Sequence, residues 1–191
     1  MKPSPRRALK VSRVVFSLIA VALACLSAHV AAAQQGGARS SLLAHEPPTA
    51  RSGLEKARAL ATRWQPDAEL RKISIPKATA EGLATEEEGW TYVFYSKRLR
   101  RSYEVSILGP MTMGAEGSDA EALAPLEGLP KDFTDSDKAV TAAREGGFQS
   151  RPGIRLTLSK RADEPATWEI TSGNPVYLVD AESGKFLRVK E

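Results

Sequence analysis

The sequence WTYVFYSKRLRRSYEVSI, residues 90–107, contains two strand patterns separated by a basic turn. In the first pattern, Trp90, Tyr92 and Phe94 occupy alternate positions, so their rings share one face of a strand. The second pattern, YEVSI, alternates in the same way. Two such patterns on either side of a short turn predict an antiparallel hairpin. Its aromatic face is expected to belong to the core rather than to a ligand platform.

A helix precedes this hairpin, and a second helix of the same form follows it. Residues 52–55, SGLE, have the form of a capping box, and apolar residues then recur at helical spacing as far as Trp64. Residues 134–137, TDSD, have the same form 82 positions later, before a helix that is expected to end near Glu145. Strand patterns accompany both helices, at residues 70–75, 90–95 and 103–107 and then at 154–158, 167–171, 176–180 and 186–189. The sequence therefore predicts an α+β fold of two tandem repeats, each with one helix packed on an antiparallel sheet.

These patterns divide the chain into five segments. Residues 1–33 are predicted to be a cleavable signal peptide, 34–51 a flexible arm, 52–108 the first repeat, 109–133 a linker and 134–191 the second repeat. The arm is rich in Gly, Ser and Pro and has no apolar period, which is typical of a tether.

The N-terminal segment has the three parts of a secretory signal. Basic residues occur near its start, and no acidic residue occurs before Glu46. The apolar run over residues 14–26 is short for a membrane span, and Ala31 and Ala33 supply the small residues of a cleavage site. We therefore expect a periplasmic or secreted protein that begins near Gln34.

Two other signal types fit parts of the same segment. Leu23-Ala24-Cys25 resembles the lipobox of a lipoprotein, and Arg6-Arg7 resembles a twin-arginine signal. Cys25 is the only cysteine of the chain. The mature chain therefore has no disulfide, no thiol nucleophile and no thiolate metal ligand.

The basic net charge of the chain belongs to the signal segment. The whole chain has 27 basic and 23 acidic residues, a net charge of +4. Five of the basic residues and none of the acidic ones lie in residues 1–33, which leaves 22 basic and 23 acidic residues and a net charge of −1. This balance excludes nucleic acid as a partner bound through global charge.

The mature sequence lacks the usual sets of catalytic and metal-binding residues. His45 is its single histidine and lies in the arm, so a nucleophilic triad has no evident imidazole base. Residues 86–88, EEE, are a charge run in a loop, and Asp132, Asp135 and Asp137 lack the other ligands of a calcium loop. We expect no catalytic residue, no cofactor and no metal site, and hence a protein that is not an enzyme. A hydrolase with unconventional groups stays open as an alternative.

A set of motifs runs through the second half of the chain. It consists of Asp135-Ser136-Asp137-Lys138-Ala139, Gly147-Phe148, Leu156, Leu158, Pro165, Trp168 and residues 177–185, YLVDAESGK. Together these motifs resemble a PepSY-like module, and the first half is similar in layout but lacks the closing motif. The resemblance implies a helix followed by an antiparallel sheet, export from the cytoplasm, and a role in restraining or regulating peptidases without catalytic residues of its own.

The hairpin turn carries four cations, Lys97, Arg98, Arg100 and Arg101. We expect an exposed tip that attracts an acidic partner, either an envelope or secreted protein, such as a peptidase, or an anionic membrane surface. The plainer interpretation of these four cations is a solubilising turn.

The resemblance, the export signal and the missing catalytic groups together make a regulatory binding protein the leading hypothesis for the chain. The alternative is a small-ligand or envelope-polymer binder that uses a cleft between the repeats.

Overall fold

An eight-stranded antiparallel sheet forms most of the structure, a computed structural model that describes residues 48–117 and 120–191. The predicted signal peptide, residues 1–33, and residues 34–47 of the predicted arm lie outside the described residues. The described residues lie within one compact unit, Leu42–Glu191.

The strands and helices follow the chain in a simple order. The strands are β1 Ala68–Ala78, β2 Trp90–Ser96, β3 Arg101–Leu108, β4 Met111–Gly117, β5 Ile154–Ser159, β6 Thr167–Thr171, β7 Val176–Asp180 and β8 Phe186–Lys190. The helices are α1 Leu54–Trp64, α2 Ala120–Leu123 and α3 Ser136–Glu145. Every strand is antiparallel to its neighbours, in the spatial order β4-β3-β2-β1-β5-β6-β7-β8.

Both halves of the chain contribute to this single sheet, so the predicted fold of two tandem helix-on-sheet repeats is wrong. Strand β1 pairs with β2 on one side and with β5 on the other, and Ile73 lies opposite both Tyr92 and Leu158. The physical reason is that a strand has two hydrogen-bonding edges, and pairing β1 with β5 leaves no open edge at the middle of the molecule. Hydrophobic periodicity identifies strands, but it does not say which edges pair.

The predicted linker, residues 109–133, contains a strand and a short helix. Its first part, β4, pairs with β3 in continuous register. Gly109 begins the turn between them with a φ of +52°, the left-handed backbone that the first position of a type II′ hairpin turn requires. The later part of the segment runs along one end of the sheet, where the Leu129 amide donates to the Leu70 carbonyl at 2.8 Å.

Helices α1 and α3 pack on the same face of the sheet. Buried alanines of both helices belong to one hydrophobic cluster that also contains Ile73 and Leu158. Trp90, Tyr92 and Phe94 lie in this cluster and are at most 2% exposed. The prediction that these rings belong to the core is confirmed.

The two helix starts differ from the predicted capping boxes. Helix α1 begins after Gly53 and has no side-chain cap, because Ser52 donates its hydroxyl to a preceding carbonyl instead. Helix α3 begins after Asp135, whose carboxylate accepts the Ser136 amide at 2.8 Å. The same carboxylate accepts the Arg51 amide at 3.1 Å. The last part of the predicted flexible arm is thereby fixed to the start of α3.

Candidate functional site

The predicted cationic turn lies at one end of the sheet, between β2 and β3, and a carboxylate holds its shape. Asp67 accepts the Ser96 hydroxyl at 2.9 Å and the Arg98 amide at 3.0 Å. These hydrogen bonds, first the one from the Arg98 amide, favour the charged carboxylate and lower the pKa of Asp67. Arg100 has a φ of +54°, so the turn contains one left-handed residue.

Two of the four predicted site residues are ion-paired within the fold. The ammonium of Lys97 lies 3.4 Å from a carboxylate oxygen of Glu69 on β1. The guanidinium of Arg101 lies 2.8 Å from a carboxylate oxygen of Glu116 on β4. Sequence analysis assigned no acidic partner to any of the four cations. It missed Glu69 and Glu116 because strand pairing, not sequence spacing, brings them close.

The other two predicted site residues, Arg98 and Arg100, carry the remaining charge of the turn. The Arg98 guanidinium donates to the side-chain oxygen of Gln65, which is a neutral partner. Arg100 is exposed and makes no ion pair within residues 48–117 and 120–191. The turn therefore presents two cations that form no salt bridge among the described residues, instead of the predicted four, and the Asp67 carboxylate attracts one of them, Arg98.

The sheet face opposite α1 and α3 carries a straight row of hydroxyl groups. Register places Ser106 opposite Thr91, Thr91 opposite Ser74, and Ser74 opposite Thr157, across β3, β2, β1 and β5. All four side chains are partly exposed, and the hydroxyls of Thr91 and Ser106 lie 3.3 Å apart. Alternation along each strand predicts which residues face outward, but only the register aligns them in one row.

This row continues into a shallow cavity of about 410 Å³ on the same face. Thr157 lies opposite Glu169, Glu169 opposite Leu178, and Leu178 opposite Arg188. Glu169, Leu178 and Arg188 all line the cavity, and Leu178 is only 8% exposed. A buried apolar side chain between an acidic and a basic one gives this end of the face both a hydrophobic contact and charges that can orient a ligand.

A second cavity, of about 640 Å³, lies at the end of the sheet beside the cationic turn. Its floor includes the buried Leu70 and Phe94, and its basic residues include Arg58, Lys97 and Lys131. This groove is the place where the structure brings one of the predicted turn residues next to apolar surface.

The described residues do not bring together a cluster of candidate metal ligands. No group of three or more His, Cys, Asp or Glu side chains converges among residues 48–117 and 120–191. Asp135 caps α3, while Asp132 lies 3.4 Å from the Arg51 guanidinium. The single mature histidine, His45, lies outside the described residues.

Comparison with known proteins gives a likeness of fold. No family model and no curated protein matches this chain. Among solved structures, a candidate lipoprotein from Clostridium difficile 630 has a similar fold, with a TM-score of 0.51 and 15% sequence identity. The similarity covers 72% of this chain and 91% of that protein. In the part of the chain that the structure describes, no helix has the length and apolar character needed to cross a membrane.

Proposed function

We propose that this chain is an exported, non-catalytic binding protein of the cell envelope that regulates a protein partner. The PepSY-like motifs of its second half imply a peptidase as the class of partner. The observation that carries the proposal is the sheet face opposite the two helices, where register aligns partly exposed hydroxyl groups across four strands.

The chemistry of this face suits recognition of a protein surface. Short hydroxyl side chains donate and accept hydrogen bonds and lose little conformational entropy when a partner covers them. The face also has an exposed apolar side chain, Leu187, which lines the cavity next to the polar ones. Apolar contacts surrounded by polar ones are the usual arrangement of a protein–protein interface.

Two observations support export. The N-terminal sequence has the basic start, apolar run and small-residue cleavage site of a secretory signal. The structurally similar protein from Clostridium difficile 630 is described as a candidate lipoprotein, a class that is found outside the cytoplasm. Location in the periplasm or outside the cell is therefore part of the proposal.

Capture from an envelope extract with matched variants tests the proposed surface. Thr91→Arg places a long cation in the middle of the hydroxyl row, whereas Thr141→Arg makes the same change on the exposed side of α3. The wild-type protein and the Thr141→Arg variant are expected to retain the same partner, and the Thr91→Arg variant is expected to lose it. Retention of that partner by all three proteins would remove the hydroxyl face from the site.

The same experiment addresses the cationic turn. A double variant, Arg98→Glu with Arg100→Glu, reverses the two charges of the turn that form no salt bridge among the described residues. Loss of the partner with this variant would assign the turn to the interface. Retention would leave the turn as a solubilising feature, without affecting the proposal for the hydroxyl face.

Small-ligand binding is a second candidate function, and the groove beside the turn favours it. A volume of about 640 Å³ is within the range of small-molecule sites. The groove has four basic side chains and two carboxylates, Glu69 and Glu127, and this excess of positive charge favours an anion. A thermal shift with acidic glycan or lipid fragments that disappears in Lys131→Glu would support this function. The absence of any shift across such a panel would count against it.

A further inference from the structure

Strand β4 is an outer edge of the sheet with little protection against pairing. Its seven residues, MTMGAEG, contain one charged side chain, Glu116, and they pair with β3 without any shift in register. Met111 and Met113 are 55% and 62% exposed. Edge strands usually avoid association through lysines, prolines, bulges or very short length. Strand β4 has none of these features.

The opposite edge, β8, is protected in two ways. Its register with β7 shifts between Leu178 and Val179, which marks a bulge or irregularity of the kind that disrupts further pairing. It also carries two exposed cations, Arg188 and Lys190. The sheet therefore has one edge that can accept a new strand and one that opposes it.

The geometry of the β3–β4 hairpin identifies the backbone groups that point away from the sheet. Leu108 and Met111 flank its two-residue turn, and the closing pair of such a turn is hydrogen-bonded. Hydrogen-bonded and non-hydrogen-bonded pairs alternate along an antiparallel ladder. The amides and carbonyls of Thr112, Gly114 and Glu116 therefore point outward.

From these features we infer that two copies of this chain pair through their β4 strands, so that one antiparallel sheet continues through a two-fold dimer. A two-fold axis at Gly114 uses all the outward groups: Gly114 pairs with Gly114 of the second copy, and Thr112 pairs with Glu116 of the second copy. The register keeps the two Glu116 side chains apart. Each of them is also partly neutralised, because Arg101 lies 2.8 Å from its carboxylate.

Each copy has one edge, β4, that can accept a new strand. The partner of that edge is therefore the β4 edge of a second copy, and association stops at the dimer. A contact between two different edges would leave an edge free at each end and would grow into a filament, whereas a contact of one edge with itself closes after two copies. The cations and the register shift of β8 oppose the open arrangement. Gly114, at the centre of this edge, has no side chain, and Tyr103 occupies the space, since an added Cβ would lie 2.2 Å from the Tyr103 hydroxyl.

Sedimentation equilibrium of the purified protein tests the dimer. We expect a reversible dimer with a dissociation constant between about 1 µM and 1 mM, since a contact of two short strands buries less area than a standard interface. Met113→Lys places a cation on β4 and is expected to give a monomer over the whole range. Leu187→Lys, the matched change on exposed β8, is expected to leave the dimer unchanged. A wild-type monomer, a dimer that survives Met113→Lys, or an association that Leu187→Lys abolishes would overturn the proposal.

Hydrogen exchange on the wild-type protein gives a readout that does not depend on any variant. Exchange of the Thr112, Gly114 and Glu116 amides is expected to slow as the concentration rises through the dimer transition, while exchange along β8 stays constant. Equal exchange at β4 in dilute and concentrated protein would overturn the proposal even if another surface produced a dimer.

Discussion

Trp90 and Trp168 pack edge to face across the two central strands β1 and β5, with ring centroids 6.2 Å apart and planes inclined by 70°. Each indole N–H donates to the carbonyl of a residue that precedes a helix. Trp90 donates to Pro48 at 2.9 Å, and Trp168 donates to Thr134 at 2.8 Å. The two rings therefore connect both helix entries to the middle of the shared sheet.

Replacing one of these rings should destabilise the whole fold. Trp168→Phe removes the indole donor, leaves the Thr134 carbonyl without its partner, and opens a cavity beside Trp90. We expect a loss of about 2–4 kcal/mol in the free energy of unfolding, measured by urea denaturation. Trp64→Phe is the control, because Trp64 stacks on Tyr103 and lies outside the fully buried core, so its loss should stay near or below about 1 kcal/mol. Equal losses for the two variants would contradict this account.

Gly82 and Gly153 allow the cost of a close approach to be separated from the cost of backbone strain. Both have a φ of +84°, but an added Cβ at Gly82 would lie 2.7 Å from Val140 Cγ2, whereas none of the described atoms lies within 4 Å of one at Gly153. We expect Gly153→Ala to cost about 1 kcal/mol of stability through strain alone. Gly82→Ala should cost a further 1–3 kcal/mol, roughly, because α3 must move. Equal unfolding midpoints for the two variants would show that this loop does not press on α3.

The fold could be predicted from the sequence as far as local patterns reach. Alternation located the strand pairs of residues 90–107 and 167–180, and it assigned Trp90, Tyr92 and Phe94 to the core. The pairing of β1 with β5 was missed, because it joins residues about half the chain apart and leaves no periodic signal. Strand β4 was missed for another reason. Its sequence, MTMGAEG, has two glycines and few residues that favour strands, so it forms through pairing with β3 rather than through propensity.

The candidate site was predicted less well than the core. Three of the four cations, Lys97, Arg98 and Arg100, lie in the predicted turn, whereas Arg101 begins β3. The acidic partners Glu69 and Glu116 depend on strand order. The hydroxyl row has the same dependence, since Ser74, Thr91 and Thr157 are unremarkable in sequence and become a row only through register. Electrostatic predictions from sequence are limited in this way because charge compensation is a property of the neighbouring strand.

Acid should weaken the cationic turn through Asp67. The pKa of this carboxyl is lowered in the folded protein, so its stabilising contribution is fully present above its unfolded value, near 3.8, and is lost as the pH falls through the lower folded value. The difference in stability between the wild-type protein and Asp67→Asn should therefore be constant near neutral pH and shrink below about pH 4. Urea denaturation at a series of pH values measures it.

Ser96→Ala provides the control for that titration. It removes the hydroxyl donor to Asp67 but keeps the Arg98 amide, which contributes most to the lowered pKa. The acid-dependent part of the stability should become smaller in this variant without disappearing. A pH profile for Asp67→Asn that runs parallel to the wild-type profile down to acid would contradict the role of this carboxylate.

Arg71 fixes the segment that follows α2 to the end of the sheet. Its side chain is 5% exposed, its guanidinium donates to the Leu126 carbonyl and lies 2.8 Å from a Glu69 oxygen, and the Tyr95 ring centroid is 5.5 Å away. Arg71→Ala removes these contacts and leaves a partly buried carbonyl without its donor, so we expect a loss of about 2–4 kcal/mol in urea denaturation. Lys97→Ala removes an exposed cation from the same Glu69 and should cost at most about 1 kcal/mol. If the two losses were equal, Arg71 would act only as a surface charge, and the segment at residues 126–129 would be held by its backbone hydrogen bonds alone.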